Sequence, residues 1–169
     1  ALLACMACAP RSVEAPMTSQ PAASSIPPVP GDTIEKSGLR YIEVLAGTGE
    51  LAQRSRCVHT KYVGWLATGK VIDFVLDTTP QGKPRDPMGF VIGQRQVIAG
   101  WEIGIEGMRE GGYRRLLIPW RLGYGTSGSP PTIPSRADLV FDVELVKVTP
   151  ARIGGSPTTP ALECGPYTR

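Results

Sequence analysis

Apolar and polar positions alternate with a period of two along most of the stretch from Gly38 to Val148. Leu39, Tyr41 and the following Val44-Leu45 read as a first strand, and Cys57 to Leu66 as a second. In the second strand Val58, Thr60 and Tyr62 share one face while Cys57, His59 and Lys61 share the other, because successive side chains of a strand point to opposite sides. Phe90-Val91-Ile92 forms a short third strand. Tyr113 to Ile118 forms a fourth, with Leu116 and Ile118 on one face. The fifth runs from Leu139 to Val148, where Leu139, Phe141, Val143 and Leu145 alternate with Val140, Asp142, Glu144 and Val146. One segment changes period: Trp101, Ile105 and Met108 fall at i, i+4 and i+7, one stripe of a short helix. Gly111-Gly112 is read as its stop, since glycine tolerates the left-handed conformation at a helix end. Several strands and one helix predict an α+β domain in which an antiparallel sheet buries one face against the helix.

On either side the pattern is lost. Residues 10–37 carry Pro10, Pro16, Pro21, Pro27, Pro28 and Pro30 among Ala and Ser, and read as a Pro/Ala/Ser-rich spacer unable to offset its ordering entropy. Residues 149–169, with Pro150, Pro157, Pro160 and Pro166, read as a disordered tail. The folded domain is accordingly placed at 38–148. Residues 1–9 read as a residual export signal or lipobox: Leu2-Leu3-Ala4-Cys5 resembles a bacterial lipobox, which makes Cys5 a lipidation candidate. Ala7-Cys8-Ala9 is a rival cleavage site, disfavoured by Pro10 directly after it. The expected location is therefore extracytoplasmic, in a bacterial periplasm or envelope as a lipoprotein, with the thylakoid lumen as the alternative. A single lipid chain anchors only marginally, so a stable tether on Cys5 needs more than one.

Composition narrows the function classes. The net charge of +3 comes with no basic block, which argues against a nucleic-acid partner. Arg114-Arg115 is the nearest approach to one and reads as a solvated strand face. No segment has the roughly 18 consecutive apolar residues of a membrane span. The single histidine, His59, reads as an exposed strand residue, and the acidic residues form no evident catalytic pair. Hydrolase, Walker-type and dinucleotide fingerprints are lacking. Cys5-Met6-Ala7-Cys8 lies in an end with no folded frame to fix metal geometry, so no metal and no cofactor are expected. The pairing of Cys5, Cys8, Cys57 and Cys164 stays open, Cys57 with Cys164 among the options.

What remains is a density of apolar and aromatic groups around turns: Tyr62, Phe90, Val97, Ile98, Trp101, Tyr124 and Phe141. The blocks that carry them resemble the FKBP-type peptidyl-prolyl isomerases from Gly38 to Val148. They are Tyr62-Val63-Gly64-Trp65-Leu66 with Thr68-Gly69-Lys70, then Phe90-Val91-Ile92-Gly93, and Val97-Ile98-Ala99-Gly100-Trp101-Glu102-Ile103-Gly104, the most specific segment. Gly107 to Gly112, Arg114 to Pro119, Leu122-Gly123-Tyr124-Gly125, Ile133-Pro134 and Leu139 to Leu145 follow in family order.

The resemblance implies a bent five-stranded antiparallel sheet wrapped around one short helix, with a shallow apolar pocket for a proline ring. It implies Trp101 as the floor, Tyr62, Phe90 and Phe141 as walls, and Val97 and Ile98 at the rim. The Ile98 N–H and the Tyr124 hydroxyl would bind peptide carbonyls, and Asp73 would pair with Tyr62. Ile72, Met88, Ser129 and Ile133 complete the substrate-binding set. Ile72 stands where the family usually has Phe, Met88 where an aromatic is common, and Ser129 where an aromatic or His is frequent. Phe74-Val75-Leu76 replaces small polar residues in a lengthened pocket-side loop. The implied function is acceleration of rotation about Xaa-Pro bonds in protein folding by a monomer without cofactors. Its partners would be proline-containing client segments and macrolides of the tacrolimus and rapamycin class. The alternative is a low-activity binding module or chaperone for such segments.

Overall fold

The computed structural model describes residues 25–76, 85–156 and 159–168 of the chain. In chain order the elements are β1 (Thr33–Lys36), β2 (Leu39–Leu45), β3 (Arg56–Leu66), β4 (Val71–Val75), β5 (Met88–Val91), α1 (Ala99–Ile105), β6 (Tyr113–Ile118), a 3₁₀ turn (Trp120–Leu122), β7 (Leu139–Pro150), β8 (Arg152–Ser156) and β9 (Thr159–Glu163). The first seven strands form one antiparallel sheet in the order β1-β2-β6-β7-β3-β4, with β5 also on β3; β8 and β9 form a separate hairpin. The α+β class holds, with β1 and β4 added to the strands expected from alternation.

β3 organises the sheet. Along one edge it pairs with β7 from Arg56 to Leu66. Its other edge is divided: Cys57 to Thr60 pair with β5, and Tyr62 to Trp65 pair with β4. β4 and β5 thus form a fork on a single strand.

The alternating residues meet α1 on the inner face. Val58, Tyr62, Leu116, Ile118, Leu139, Phe141, Val143 and Leu145 join Trp101 and Ile105 in one buried cluster. Close approach of helix and sheet rests on two glycines one turn apart. A Cβ on Gly100 would stand 2.5 Å from Ile118 Cγ2, and one on Gly104 would stand 2.7 Å from Leu116 Cδ2. The helix stops earlier than expected, at Ile105. Gly107, at φ +92°, takes the left-handed position two residues on, so Gly111-Gly112 is not the terminator and Met108 lies beyond the helix. The last carbonyls of α1 receive cations: Lys36 Nζ donates to Ile103 O (3.2 Å) and Glu106 O (3.1 Å), and Arg114 Nη1 donates to Gly104 O (2.6 Å). These groups satisfy acceptors that a helix end leaves unpaired and complement its negative dipole end.

Two charged residues read as solvated are buried. Arg114 is 5% exposed, pairs with Glu43 and lies over the Tyr41 ring at 4.2 Å. Arg115 is also 5% exposed and forms a two-pronged pair with Asp142 (Nε–Oδ1 2.6 Å, Nη2–Oδ2 2.7 Å). It further donates to the Pro27 carbonyl. The solvated-face reading fails for two reasons: Arg114 lies on the helix-facing side of β6, with Leu116 and Ile118, against the end of α1, and the outer face that carries Arg115 is covered. Val63, Trp65, Leu76, Tyr113 and Val140 form a second buried cluster there, closed by Ile26, Val29 and Phe74.

The flanks correct the sequence reading too. β1 and the packed residues Ile26 and Val29 fall within the stretch taken as a spacer. The stretch taken as a disordered tail holds β8, β9 and Cys164, which forms a disulfide with Cys57 in β3. This arm is why His59 is buried (3% exposed) rather than exposed, with its ring 5.3 Å from that of Tyr167. Cys5, Cys8 and the rest of 1–24 lie outside the described residues.

Candidate functional site

The fork between β4 and β5 opens onto the N-terminal end of α1, and a cleft of about 370 Å³ lies there. Its floor is Trp101, in the first turn of the helix and 3% exposed. Tyr62 from β3 and Phe141 from β7 stand edge-on to the indole, with centroids at 4.9 Å and 5.3 Å and interplanar angles of 89° and 85°. Perpendicular packing sets the positive edge of one ring against the negative face of another. The strand register brings these rings together: Tyr62 and Phe141 lie on neighbouring strands, two rungs apart.

Ile72 and Asp73 from β4 and Met88 from β5 supply the fork side of the lining. Val97 and Ile98 supply the helix side, and Tyr124 and Ile133 supply the far lip. Phe90 and Ser129 depart from their expected places. Phe90 is buried behind the floor, 6.0 Å from the Trp101 ring, and is not part of the lining. Ser129 is turned into a small backbone bridge, its N–H donating to Ile133 O and its O accepting from Ile133 N–H, and is also outside the lining. Gln96 and Thr132 line the cleft and were missed. Both are exposed polar residues with no periodic signature.

Polar groups are few and placed at the edges. Tyr62 Oη donates to Asp73 Oδ2 across 2.5 Å, and Asp73 Oδ1 accepts from the Phe74 N–H at 2.8 Å. Among the described residues Asp73 is the only carboxylate in the lining, and both of its oxygens are engaged. Ile98 is the N-cap of α1 in extended conformation, and its N–H has no acceptor among the described residues. The turn before it is braced from α1: Glu102 accepts from the Gly93 N–H (2.6 Å) and the Arg95 N–H (3.0 Å). Sequence reasoning missed that brace; an acid in the first helical turn shortly after a glycine turn is the signal from which it could have been found.

Residues 49–146 match the family described as FKBP-type peptidyl-prolyl cis-trans isomerase. An FK506-binding protein of Neisseria meningitidis serogroup B is 40% identical over 111 residues, 66% of this chain and 96% of the relative. The chain belongs to the FKBP-type peptidyl-prolyl cis-trans isomerase family. FK506-binding protein 4 of Dictyostelium discoideum is 47% identical over 110 residues, but this chain spans only 28% of its length. The solved structure of FkpA from Escherichia coli superposes with a TM-score of 0.60 at 39% identity, covering 70% of this chain and 52% of that one.

Within this FKBP fold the cleft phenols stay protonated well into alkaline pH. Burial first, then the Asp73 hydrogen bond and charge, push the Tyr62 phenol far above its ordinary value, and burial raises that of Tyr124. His59, outside the cleft, is held below its ordinary value by burial. The FKBP cleft therefore offers an aromatic box with the Ile98 N–H and the Tyr124 hydroxyl at its edge and, among the described residues, no carboxylate or imidazole besides the Asp73 group that holds Tyr62.

Proposed function

We propose that this chain is an active peptidyl-prolyl cis-trans isomerase that binds a proline ring over Trp101. The observation that carries the reading is the aromatic box of Trp101, Tyr62 and Phe141, bordered by the unengaged Ile98 N–H and the Tyr124 hydroxyl. The barrier to prolyl rotation is about 18–20 kcal/mol and arises from amide resonance. Lowering it needs no nucleophile. The twisted amide has lost C–N double-bond character and carries less charge separation than the planar one. A dry apolar box favours it over the ground state, which is differential binding. Ile98 N–H and Tyr124 Oη then fix the flanking carbonyls so that only the prolyl bond turns. Asp73 positions Tyr62 and moves no proton.

The substrates on this reading are exposed Xaa-Pro segments of folding chains. Two relatives bear the name FK506-binding protein, which supports binding of that macrolide class in the same box. The Cys57–Cys164 disulfide supports an oxidising, extracytoplasmic setting. Intact mass of the native protein tests the lipid on Cys5.

The deciding experiment is a proline-isomerisation assay by NMR exchange on an unstructured Xaa-Pro peptide. The expected result is faster exchange with wild type and loss of most of it in Trp101→Ala that remains folded. Peptide binding without acceleration would replace this reading with that of a proline-segment binding module.

A further inference from the structure

Away from the cleft, on the outer face of β3, three soft ligands converge. Cys57, His59 and Cys164 hold their Sγ and imidazole nitrogen atoms within 4.8 Å of one another. Cys57 and His59 sit two residues apart on a single strand face that is hydrogen-bonded on both sides, so their separation is set by the sheet. Cys57 is fully buried, His59 is 3% exposed, and His59 Nδ1 has no hydrogen-bond partner among the described residues. A buried polar nitrogen left without a partner calls for an explanation. Space has also been kept for this group. Gly89 faces His59 across the strand pair, and a Cβ there would stand 3.2 Å from His59 Nδ1 and 3.4 Å from Cys164 Cβ. In the structure the two sulfurs are joined, and His59 Nε2 lies 3.4 Å from Cys57 Sγ.

We infer that the reduced form of this cluster is a zinc-class metal site, formed by Cys57, His59 and Cys164, that is mutually exclusive with the disulfide. A dithiol reductant supplies two electrons and two protons, leaving as a cyclic disulfide while Cys57 and Cys164 become thiols. A divalent ion then displaces both thiol protons and takes two thiolates and one neutral imidazole. The result has no net charge, which suits a buried site. Two sulfurs and one nitrogen are a ligand set that favours zinc, with Zn–S near 2.3 Å and the fourth position left to water. The sulfurs must part to reach that geometry. Cys164 is the one that moves, because it is half-buried and follows the last strand, whereas Cys57 is fixed in the sheet.

The test is cobalt(II) titration of the full chain with Cys5→Ser and Cys8→Ser, so that only the described cysteines report. The protein is reduced by a phosphine that is then removed without air. The oxidised protein should bind no cobalt. The reduced protein should bind one ion per chain with thiolate-to-cobalt charge-transfer absorption, displaced by zinc. His59→Gln should weaken binding by at least about tenfold with both thiols intact, and Cys164→Ser should lower the charge-transfer intensity. No uptake by the reduced chain, or uptake equal in His59→Gln, overturns the inference. So does loss of the near-ultraviolet circular dichroism of the aromatic box on reduction, because no frame would then assemble the ligands.

Discussion

Arg115 and Asp142 face each other across β6 and β7 as a register pair, joined by two hydrogen bonds and each at most 5% exposed. Their partnership ties the sheet to the N-terminal segment, because the same guanidinium donates to the Pro27 carbonyl. Breaking one side strands the other charge in a dry place. Asp142→Leu or Arg115→Leu alone is expected to cost about 3–5 kcal/mol of unfolding free energy, and the double substitution to recover much of that. Urea unfolding of the four proteins of the cycle checks it; strictly additive losses would contradict the pairing.

In the cleft, Tyr62→Phe removes the hydroxyl that holds the Asp73 carboxylate and loosens the ring at the wall. The expected loss in kcat/KM on an Xaa-Pro peptide is about three- to tenfold, with the fold intact, from the typical net worth of an intramolecular hydrogen bond. Asp73→Asn, which keeps an acceptor for the phenol, should lose less. If Asp73→Asn abolished activity while Tyr62→Phe did not, the carboxylate would have a role beyond positioning.

Alkaline stability follows from the phenols. Tyr62, Tyr113 and Tyr124 are all raised above their ordinary value, burial being the largest cause in each. Below about pH 10 folded and unfolded chains both keep these protons, so the contribution to stability is fully present. Above it the unfolded chain releases protons that the folded one retains, and stability falls as pH rises. Denaturant midpoints measured on either side of pH 10 should drop, and the slope should be shallower in Tyr62→Phe. Isomerase turnover should show no phenol titration across the neutral range.

Gly104→Ala introduces a methyl where Leu116 Cδ2 would be 2.7 Å away and Leu39 Cδ2 3.0 Å away. The better helix propensity of alanine is outweighed by overpacking, which typically costs about 1–3 kcal/mol. Thermal unfolding should show a lowered midpoint. Leu116→Ala in the same chain, which opens space at that contact, should make the two changes together cost less than their sum.

The strands with one face on the helix were legible because alternation reports a half-buried surface directly. β2, β3, β6 and β7 lie close to where Leu39, Val58, Leu116 and Phe141 placed them, and the Trp101–Ile105 stripe marked the helix. What alternation does not report is what covers the second face. His59 and Arg115 on that face, and Arg114 at the end of the helix-facing stripe, were read as solvated because their covers are distant in sequence. Tyr167 and Cys164 cover His59, Glu43 and Gly104 engage Arg114, and Asp142 and Pro27 engage Arg115. β8 and β9 were missed for a related reason: a proline- and glycine-rich composition argues against an independent core, and this hairpin is fastened to β3 by a covalent bond. In the cleft, the floor and two of its walls came from the block pattern. Phe90 is buried beside Trp101 without lining the cleft, and Ser129 is taken up in a local backbone bridge.

The division of the β3 edge between β4 and β5 has a further consequence. The described rungs of β5 fall on Cys57 to Thr60 and those of β4 on Tyr62 to Trp65, so Lys61 divides the two prongs. Ile72 in β4 and Met88 at the start of β5 both line the cleft, one from each prong. Substitutions on either prong can thus reshape one rim of the cleft while the indole floor and its perpendicular rings, carried by α1, β3 and β7, stay in place.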